Sequence, residues 1–326
     1  MARNARPKLT KFQADQNELK LKAAWLYFVE GHTQEQVAEQ IGTSRIKALR
    51  LLAAAREDGT VNISINSQAE SIFALQRQLE RHLKLTQVVV VPASAQSEAS
   101  IAAVVGHATG QYISQQLFAG ATVGVGWGAT LKICMQALAW REIEEMTVVS
   151  LLGGLTNATA DNPSAVSWRL ADFYKTKLYQ IAAPVFVPSS ELARELWAIA
   201  GFQELRERAQ RSDIALISVG SLGEEASIFR RGILDKAELK SLATAGAVGD
   251  VLCHFVDAEG RLVDHPVNRR VMAVSPADLH GVGTVVISSG GERKAQAIRA
   301  GIAATKASVL ITDTSAAAAL LDLEPL

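Results

Sequence analysis

Residues Val123–Leu131 read VGVGWGATL. A short apolar run ends in a loop with glycine at positions 124, 126 and 128, and the residues after it favour a helix. Strand, glycine loop, helix is one βα unit, and its loop has the chemistry of an anion cradle. Glycine lets the backbone approach a ligand closely, a helix N-terminus offers unpaired amides and a favourable dipole, and Thr130 adds a hydroxyl. The spacing is neither GxxxxGK[ST] nor GxGxxG, so a nucleotide is not favoured. A tight turn without a ligand fits the same residues, and Trp127 suits either a lid or a core anchor.

Outward from this unit, apolar runs of strand length alternate with helical stretches: Val88–Val91, Thr122–Val125, Thr147–Leu151, Pro184–Val187, Ile214–Val219, Val251–Phe255, Thr284–Ser288 and Val309–Thr312. Continuous runs such as Val88 to Val91 predict strands buried on both faces, as in a parallel sheet covered by helices. The expected fold is therefore a doubly wound α/β domain over residues 88–326, with ligands at the carboxyl ends of the strands. Glycine turns follow several of these strands. Gly290-Gly291 leads to Lys294, a solvated helix-surface lysine on its own pattern or, with the glycine turns around it, an ammonium placed to neutralise a phosphate. Asp250, beside Gly249, can accept hydrogen bonds from sugar hydroxyls or cap a helix. Asn162 and Arg169, in DNPSAVSWRLADFY, sit at a predicted helix start and face either a pocket or the surface.

Upstream, Glu30–Val61 reads EGHTQEQVAEQIGTSRIKALRLLAAAREDGTV. Before it, Leu21, Ala24, Trp25 and Phe28 follow i, i+3, i+4, i+7 and predict one apolar face of a helix that Gly31 ends. Thr33 and Gln36 form a capping box that starts a second helix at Gln34, in which Val37, Ala38 and Ile41 make a buried stripe. Gly42 supplies the tight turn between two helices, and Thr43 or Ser44 caps the third. Ala48, Leu51, Leu52 and Ala55 give that helix its inner face, which leaves Ser44, Arg45, Lys47, Leu49 and Arg50 outward. Such a face suits contact with double-stranded DNA, the cations reaching guanine edges or phosphates. Candidate DNA contacts are Gln34, Thr43, Ser44, Arg45, Lys47 and Arg50. Another three-helix bundle with a solvated basic face is the competing reading. Val61 to Asn66 alternates as a short strand and forms either a wing or an exit from this domain, placed at 1–66. Residues 67–87 read as a connecting helix and linker, with Ile72, Leu75, Leu79 and Leu83 on one face.

The whole chain sets bounds on these readings. At 326 residues it exceeds one ordinary core, and 48% hydrophobic with 20% charged residues excludes global disorder. Net charge is zero, so any DNA-binding surface arises from local segregation. Residues 1–60 carry ten Lys and Arg against seven Asp and Glu. Cys134 and Cys253 lie far apart with no ligand spacing, which predicts a reducing cytoplasm, no structural metal and no cofactor. No apolar run reaches the roughly 18 residues of a spanning helix, so no membrane partner is expected.

Together these motifs resemble the SorC family of bacterial sugar-responsive transcription regulators, and the resemblance covers nearly the whole chain. It is carried in order by TQEQVAEQIGTSRIKALRLLAAAREDG, VGVGWGATL, LLGGL, AAPVFVPSSELARE, ALISVGSL, GAVGDVLCHFVDAEG, ISSGGERKAQAIRAGI and VLITDTSAAAALL. The resemblance implies a winged helix-turn-helix followed by an effector domain similar to glucosamine-6-phosphate deaminase and ribose-5-phosphate isomerase. It implies that Gly126, Trp127, Gly128, Ala129 and Thr130 form a phosphate loop, that Lys294 pairs with the phosphate, and that Asp250 holds hydroxyls. Asn162 and Arg169 fall in a region that contributes to the pocket. The phrase AAWLYFVEGHTQEQVAEQIG is similar to members controlling polyol catabolism, so a tetritol, a pentitol or their phosphates are the expected effectors. A homo-oligomer, dimer or tetramer, is expected on paired operator half-sites, with the sign of regulation open. The alternative is a sugar-phosphate isomerase or deaminase with an appended DNA-binding domain. His107 and His280 show no acid/base partner in sequence, His254 falls in the predicted strand VLCHFVD and His265 in a polar turn, so no acid/base set is assembled, which disfavours it.

Overall fold

The computed structural model describes residues 11–58, 60–61, 67–93, 97–155 and 162–326. The chain divides into two compact units, Met1–Ser67 and Gln68–Leu326.

The first unit packs three helices, α1 (Lys11–Phe28), α2 (Gln34–Gln40) and α3 (Arg45–Glu57). Thr33 and Gln36 form the expected capping box, with Thr33 N–H donating to Gln36 Oε1 at 2.8 Å and Gln36 N–H to Thr33 Oγ1 at 3.3 Å. Ser44, rather than Thr43, caps α3 by accepting from Lys47 N–H. Gly42 sits at φ +67° in the turn between α2 and α3, a conformation that favours glycine. The core is Ala23, Leu26, Val37, Ala38, Ala48 and Leu52, and the alanines let the three helices approach closely. The sequence stripe on α1 is partly overturned: Leu21 and Trp25 are 57% and 59% exposed, because the helix is apolar on two sides and the side bearing Ala23 and Leu26 faces α3. The expected wing lies outside the described residues.

The second unit runs α4 (Ser67–His82), β1 (Gln87–Val91), α5 (Glu98–Gln116), β2 (Thr122–Val125), α6 (Ala129–Cys134), β3 (Thr147–Ser150), α7 (Pro163–Phe173) and β4 (Lys177–Tyr179). It continues with α8 (Ser190–Trp197), α9 (Ala200–Gln210), β5 (Ile214–Ile217), β6 (Val219–Ser221), α10 (Ser227–Arg230), α11 (Lys236–Thr244), β7 (Gly249–Val251) and β8 (His254–Val256). It ends with β9 (Thr284–Ser288), α12 (Ala295–Thr305), β10 (Val309–Asp313) and α13 (Thr314–Leu321). Seven strands form one parallel sheet in the order β1-β10-β9-β5-β2-β3-β4, and β6-β7-β8 form a small antiparallel sheet.

Neighbouring residues of the parallel strands enter opposite cores. Val148, Ile214, Leu216, Val286 and Ile311 pack with α5, α6 and α7. Val149, Ala215, Ile217, Val285, Ile287 and Leu310 pack with α4, α9, α12 and α13. Burial on both faces is what the unbroken Val, Ile and Leu runs encode, each such side chain contributing about 1.5–3 kcal/mol. The edge strand β1 is covered by α4: Gln76 Oε1 accepts from Val90 N–H at 3.0 Å and Glu80 Oε1 from Val88 N–H at 3.2 Å. Among the described residues, no helix is long and apolar enough to cross a membrane.

Three strand expectations need correction. Pro184–Val187 makes only isolated bridges, from Pro184 to Gly154 and from Phe186 to Val271, while the outer strand is the less apolar β4. Ile214–Val219 breaks at Ser218 into β5 and β6, which belong to different sheets. Val251–Phe255 is a hairpin rather than one strand, because Leu252 and Cys253 turn the chain at φ +51° and +63°. Neither residue carries a turn signature, so periodicity alone reads the run as continuous.

Candidate functional site

At the carboxyl ends of β2 and β5, a cavity of about 190 Å³ opens between the β2–α6 loop, the start of α5, the small sheet and the segment around α10. One ordered water needs about 10–15 Å³, so the space takes a polyfunctional small molecule. Of the residues singled out from sequence, Trp127, Gly128, Ala129, Thr130, Asp250 and Lys294 all line it. These come from three separate stretches of chain, and the α/β winding brings them together.

Gly128 caps α6 at φ +145°, and a Cβ there would lie 3.2 Å from the Cβ of Ser218. Glycine is thus required by backbone conformation and by the close approach of the β5–β6 junction. The first-turn amides after Gly128 have no partner inside the helix, as in any helix start. Trp127 lines the cavity and also packs against both cores, as a core anchor does.

Asp250 sits on β7 opposite Gly220 of β6. A Cβ on Gly220 would stand 2.1 Å from Asp250 Oδ1, so only glycine leaves room for the carboxylate. Its other oxygen accepts from Cys253 N–H at 3.1 Å, closing the β7–β8 turn over the acid. Burial pushes the Asp250 carboxyl up to about 6, against the opposing effects of the Cys253 amide and the positive charge of Lys294. Leu252 and Cys253, both at positive φ, form the cavity wall here, and two non-glycine residues in that region store strain beside the site. Burial also raises the Cys253 thiol well above its ordinary range, so no thiolate faces the cavity at neutral pH.

Lys294 closes a short 3-10 turn, Glu292–Lys294, after β9. Its backbone N–H donates to Gly291 O at 2.9 Å, and Gly291 itself holds φ +97°. The lysine is half-buried at the cavity rim and close enough to Asp250 to act on its carboxyl.

Gly126, Asn162 and Arg169 do not line this cavity. The Gly126 amide donates to Leu216 O at 2.8 Å and so continues the sheet. Asn162 caps α7: its Oδ1 accepts from Ser164 and Leu155 N–H, and its Nδ2 donates to Leu155 O at 2.6 Å. Arg169 lies on α7, half-buried. Sequence reading missed Glu98, Ser218, Ser221, Glu225 and Arg230, which also line the space. Glu225 lies just before the short α10 and Arg230 ends it, where no periodic pattern flagged them. Among the described residues no histidine lines the cavity; His254 lines a separate groove with Arg194 and Arg269. Burial depresses its imidazole to about 4, and its Nδ1 has no partner among the described residues.

In the first unit, α3 leaves Arg45, Lys47 and Arg50 exposed, with Ile46 and Leu49 beside them at 68% and 45% exposure. Arg45 pairs with Glu35 of α2 at 2.9 Å, both side chains exposed, so the pair is readily exchanged for another anion. Ser44 Oγ is used by the helix cap. Gln34 begins α2 and Thr43 occupies the turn, its amide donating to Ala38 O.

Residues 67–322 match the profile of the sugar-binding domain family, Sugar-bind. The erythritol catabolism regulatory protein EryD of Brucella abortus is 30% identical over 307 residues, covering 94% of this chain and 96% of that protein. The deoxyribonucleoside regulator of Bacillus subtilis is 30% identical over 309 residues, covering 94% and 98%. The crystal structure of the full-length sorbitol operon regulator SorC from Klebsiella pneumoniae superposes with a TM-score of 0.71 at 23% identity, covering 94% of this chain and 99% of that one. At that identity the likeness is one of fold.

Proposed function

Because this chain belongs to the family of transcriptional regulators built on this sugar-binding domain, we propose that it controls a carbohydrate or polyol catabolic operon in answer to a small polyol or sugar phosphate held in the cavity of its second unit. The relatives it matches are named as regulators, which favours this reading over an isomerase or deaminase. In the first unit, α2 and α3 form a helix-turn-helix whose third helix enters the major groove of double-stranded operator DNA. Arg45, Lys47 and Arg50 reach phosphates and guanine edges, and Gln34, Thr43 and Ser44 lie where the backbone passes. The bacterial cytoplasm, where DNA and catabolite meet, is its place of action. Two-fold operator symmetry makes a dimer the smallest working assembly, and a tetramer a pair of these.

The observation that carries the effector reading is the convergence of Gly128, Ala129 and Thr130, Asp250 and Lys294 on one cavity at the carboxyl ends of parallel strands. Lys294 and the first-turn amides of α6 suit a phosphate, and Asp250 suits hydroxyls. With positive groups at one place and an acceptor at another, the cavity selects a polyol that carries an anion. A thermal-shift screen of polyol and sugar phosphates on the full chain and on Lys294→Ala tests this. A ligand present at 100 times its Kd stabilises by about 2.7 kcal/mol, and Lys294→Ala abolishes that gain while keeping the fold. Equal shifts in both proteins reject the role of Lys294. Turnover of a binder at about 1–1000 s⁻¹ favours the enzyme reading instead.

A further inference from the structure

The side chain of Lys294 depends on a loop, and the loop is tied to the sheet by one buried acid. Asp313, the last residue of β10, is fully buried. Its Oδ1 accepts from Gly291 N–H at 2.7 Å. Its Oδ2 accepts from Ser315 N–H at 2.9 Å and from the Ser315 hydroxyl, capping α13. Gly291 then passes the constraint on, because its carbonyl receives Lys294 N–H at 2.9 Å. The neighbouring Gly290 is pressed against the same carboxylate: a Cβ there would stand 2.5 Å from Asp313 Oδ1 and 2.9 Å from Ile101 Cγ2. Acid, glycine pair and lysine thus form one connected chain of close approaches from the parallel sheet to the cavity rim.

A carboxylate suits this place for a specific reason. Two backbone N–H groups reach different oxygens of the carboxylate, one from the lysine loop and one from α13, and each needs an acceptor. An asparagine satisfies one and turns its amide N–H₂ against the other. Asp313 does not line the cavity, so it touches no effector.

We infer that Asp313 is a positioning residue for effector recognition, holding the Gly290–Lys294 loop so that the Lys294 ammonium meets the anionic group of the ligand. This rests on the reading of Lys294 as the phosphate partner, and the test separates the two. Inorganic phosphate binding to the full chain is measured calorimetrically at constant ionic strength for the parent, Lys294→Ala, Asp313→Asn and the double variant, with unfolding midpoints recorded alongside. Asp313→Asn is expected to raise the phosphate Kd about tenfold, the scale of one charged hydrogen bond. In the Lys294→Ala background, titrated to phosphate concentrations high enough to read its weaker residual affinity, the same change is expected to have less than about a twofold effect, because the lysine it positions is gone. A purely structural role lowers the unfolding midpoint and leaves the phosphate Kd in place, or adds the same factor in both backgrounds; either result overturns the proposal. If Lys294→Ala binds phosphate as the parent does, the reading of Lys294 falls and the proposal with it. If Lys294→Ala loses phosphate and Asp313→Asn does not, only the proposal falls. Gly291→Ala provides a second route should Asp313→Asn not fold: φ +97° strains any side chain there although a Cβ would make only an ordinary contact, 3.7 Å from Ile101 Cδ1, so it displaces the loop without altering the acid. Its loss of phosphate affinity is expected to vanish likewise in the Lys294→Ala background, and persistence there overturns the proposal.

Discussion

Gly220→Ala places a methyl carbon 2.1 Å from Asp250 Oδ1, far inside van der Waals contact. The carboxylate can turn only toward the cavity it lines, and doing so breaks the bond its other oxygen accepts from Cys253 N–H at 3.1 Å. Relieving the clash by rotation costs about 1–3 kcal/mol of overpacking. It also strands the Cys253 amide, which adds about 1–3 kcal/mol. Alanine is favoured over glycine within a strand by only about 0.5–1 kcal/mol, so the clash wins and a net loss of about 1–5 kcal/mol follows. Urea unfolding of the parent, Gly220→Ala, Asp250→Ala and the double variant measures it. In the Asp250→Ala background the obstructing oxygen is absent, and Gly220→Ala is expected to cost less than about 1 kcal/mol. Equal costs in the two backgrounds would refute the argument that Gly220 exists to admit the carboxylate.

Acid titration separates two groups that desolvation shifts in opposite directions. His254 falls from 6.5 to about 4 on folding, so the stability of its neutral form is intact above pH 6.5 and is lost as pH falls toward 4, by about 3 kcal/mol at 1.36 kcal/mol per pH unit. The stability advantage of the parent over His254→Gln is therefore expected to shrink by about that amount between pH 7 and pH 4; an advantage independent of pH contradicts the buried neutral imidazole. Asp250, raised from 3.8 to about 6, works the other way: the parent gains on Asp250→Asn as pH falls from about 6 toward 3.8, and a constant difference in paired urea melts contradicts the raised carboxyl. Gln76→Ala with Glu80→Ala leaves the buried Val90 and Val88 amides unpaired, with an expected loss of about 2–5 kcal/mol and concentration-dependent aggregation through the exposed edge of β1; unchanged melting and light scattering reject the edge-cover role of α4. Arg45→Ala and Arg50→Ala are expected to weaken binding to the protein's own upstream DNA, the salt slope falling by about 0.9 for each phosphate that is no longer neutralised; retained affinity and slope reject α3 as the reading helix.

The parallel sheet was legible because strands buried on both faces leave unbroken apolar runs, as Ile214 to Ile217 does at every position, whereas the equally unbroken Val88 to Val91 is an edge strand with Val89 and Val91 only half-buried. The caps were legible because Thr33 with Gln36 is a local arrangement of hydrogen bonds. Legibility failed where distant packing overrides local pattern. Leu252 and Cys253 adopt positive φ without glycine or asparagine, so the hairpin that carries Asp250 reads as one strand. On α1, Trp25 obeys helical periodicity yet lies outside, since a helix apolar on two sides lets only its partners choose the buried side. Glycine spacing located the β2–α6 loop, but Gly126 belongs to the sheet and Asn162 to a helix cap, distinctions set by hydrogen-bond partners far along the chain. Arg230 and Glu225 escaped notice because a four-residue helix has no periodicity to read.

The most direct test joins the two units. Affinity for the upstream DNA is measured by fluorescence anisotropy at fixed salt, with and without a polyol phosphate that stabilises the full chain, for the parent and for Lys294→Ala. The ligand is expected to change DNA affinity about 5–150-fold in the parent, DNA to change ligand affinity by the same factor, and Lys294→Ala to abolish the effect while still binding DNA. Ligand that stabilises the parent through the cavity yet leaves its DNA affinity unchanged contradicts the account.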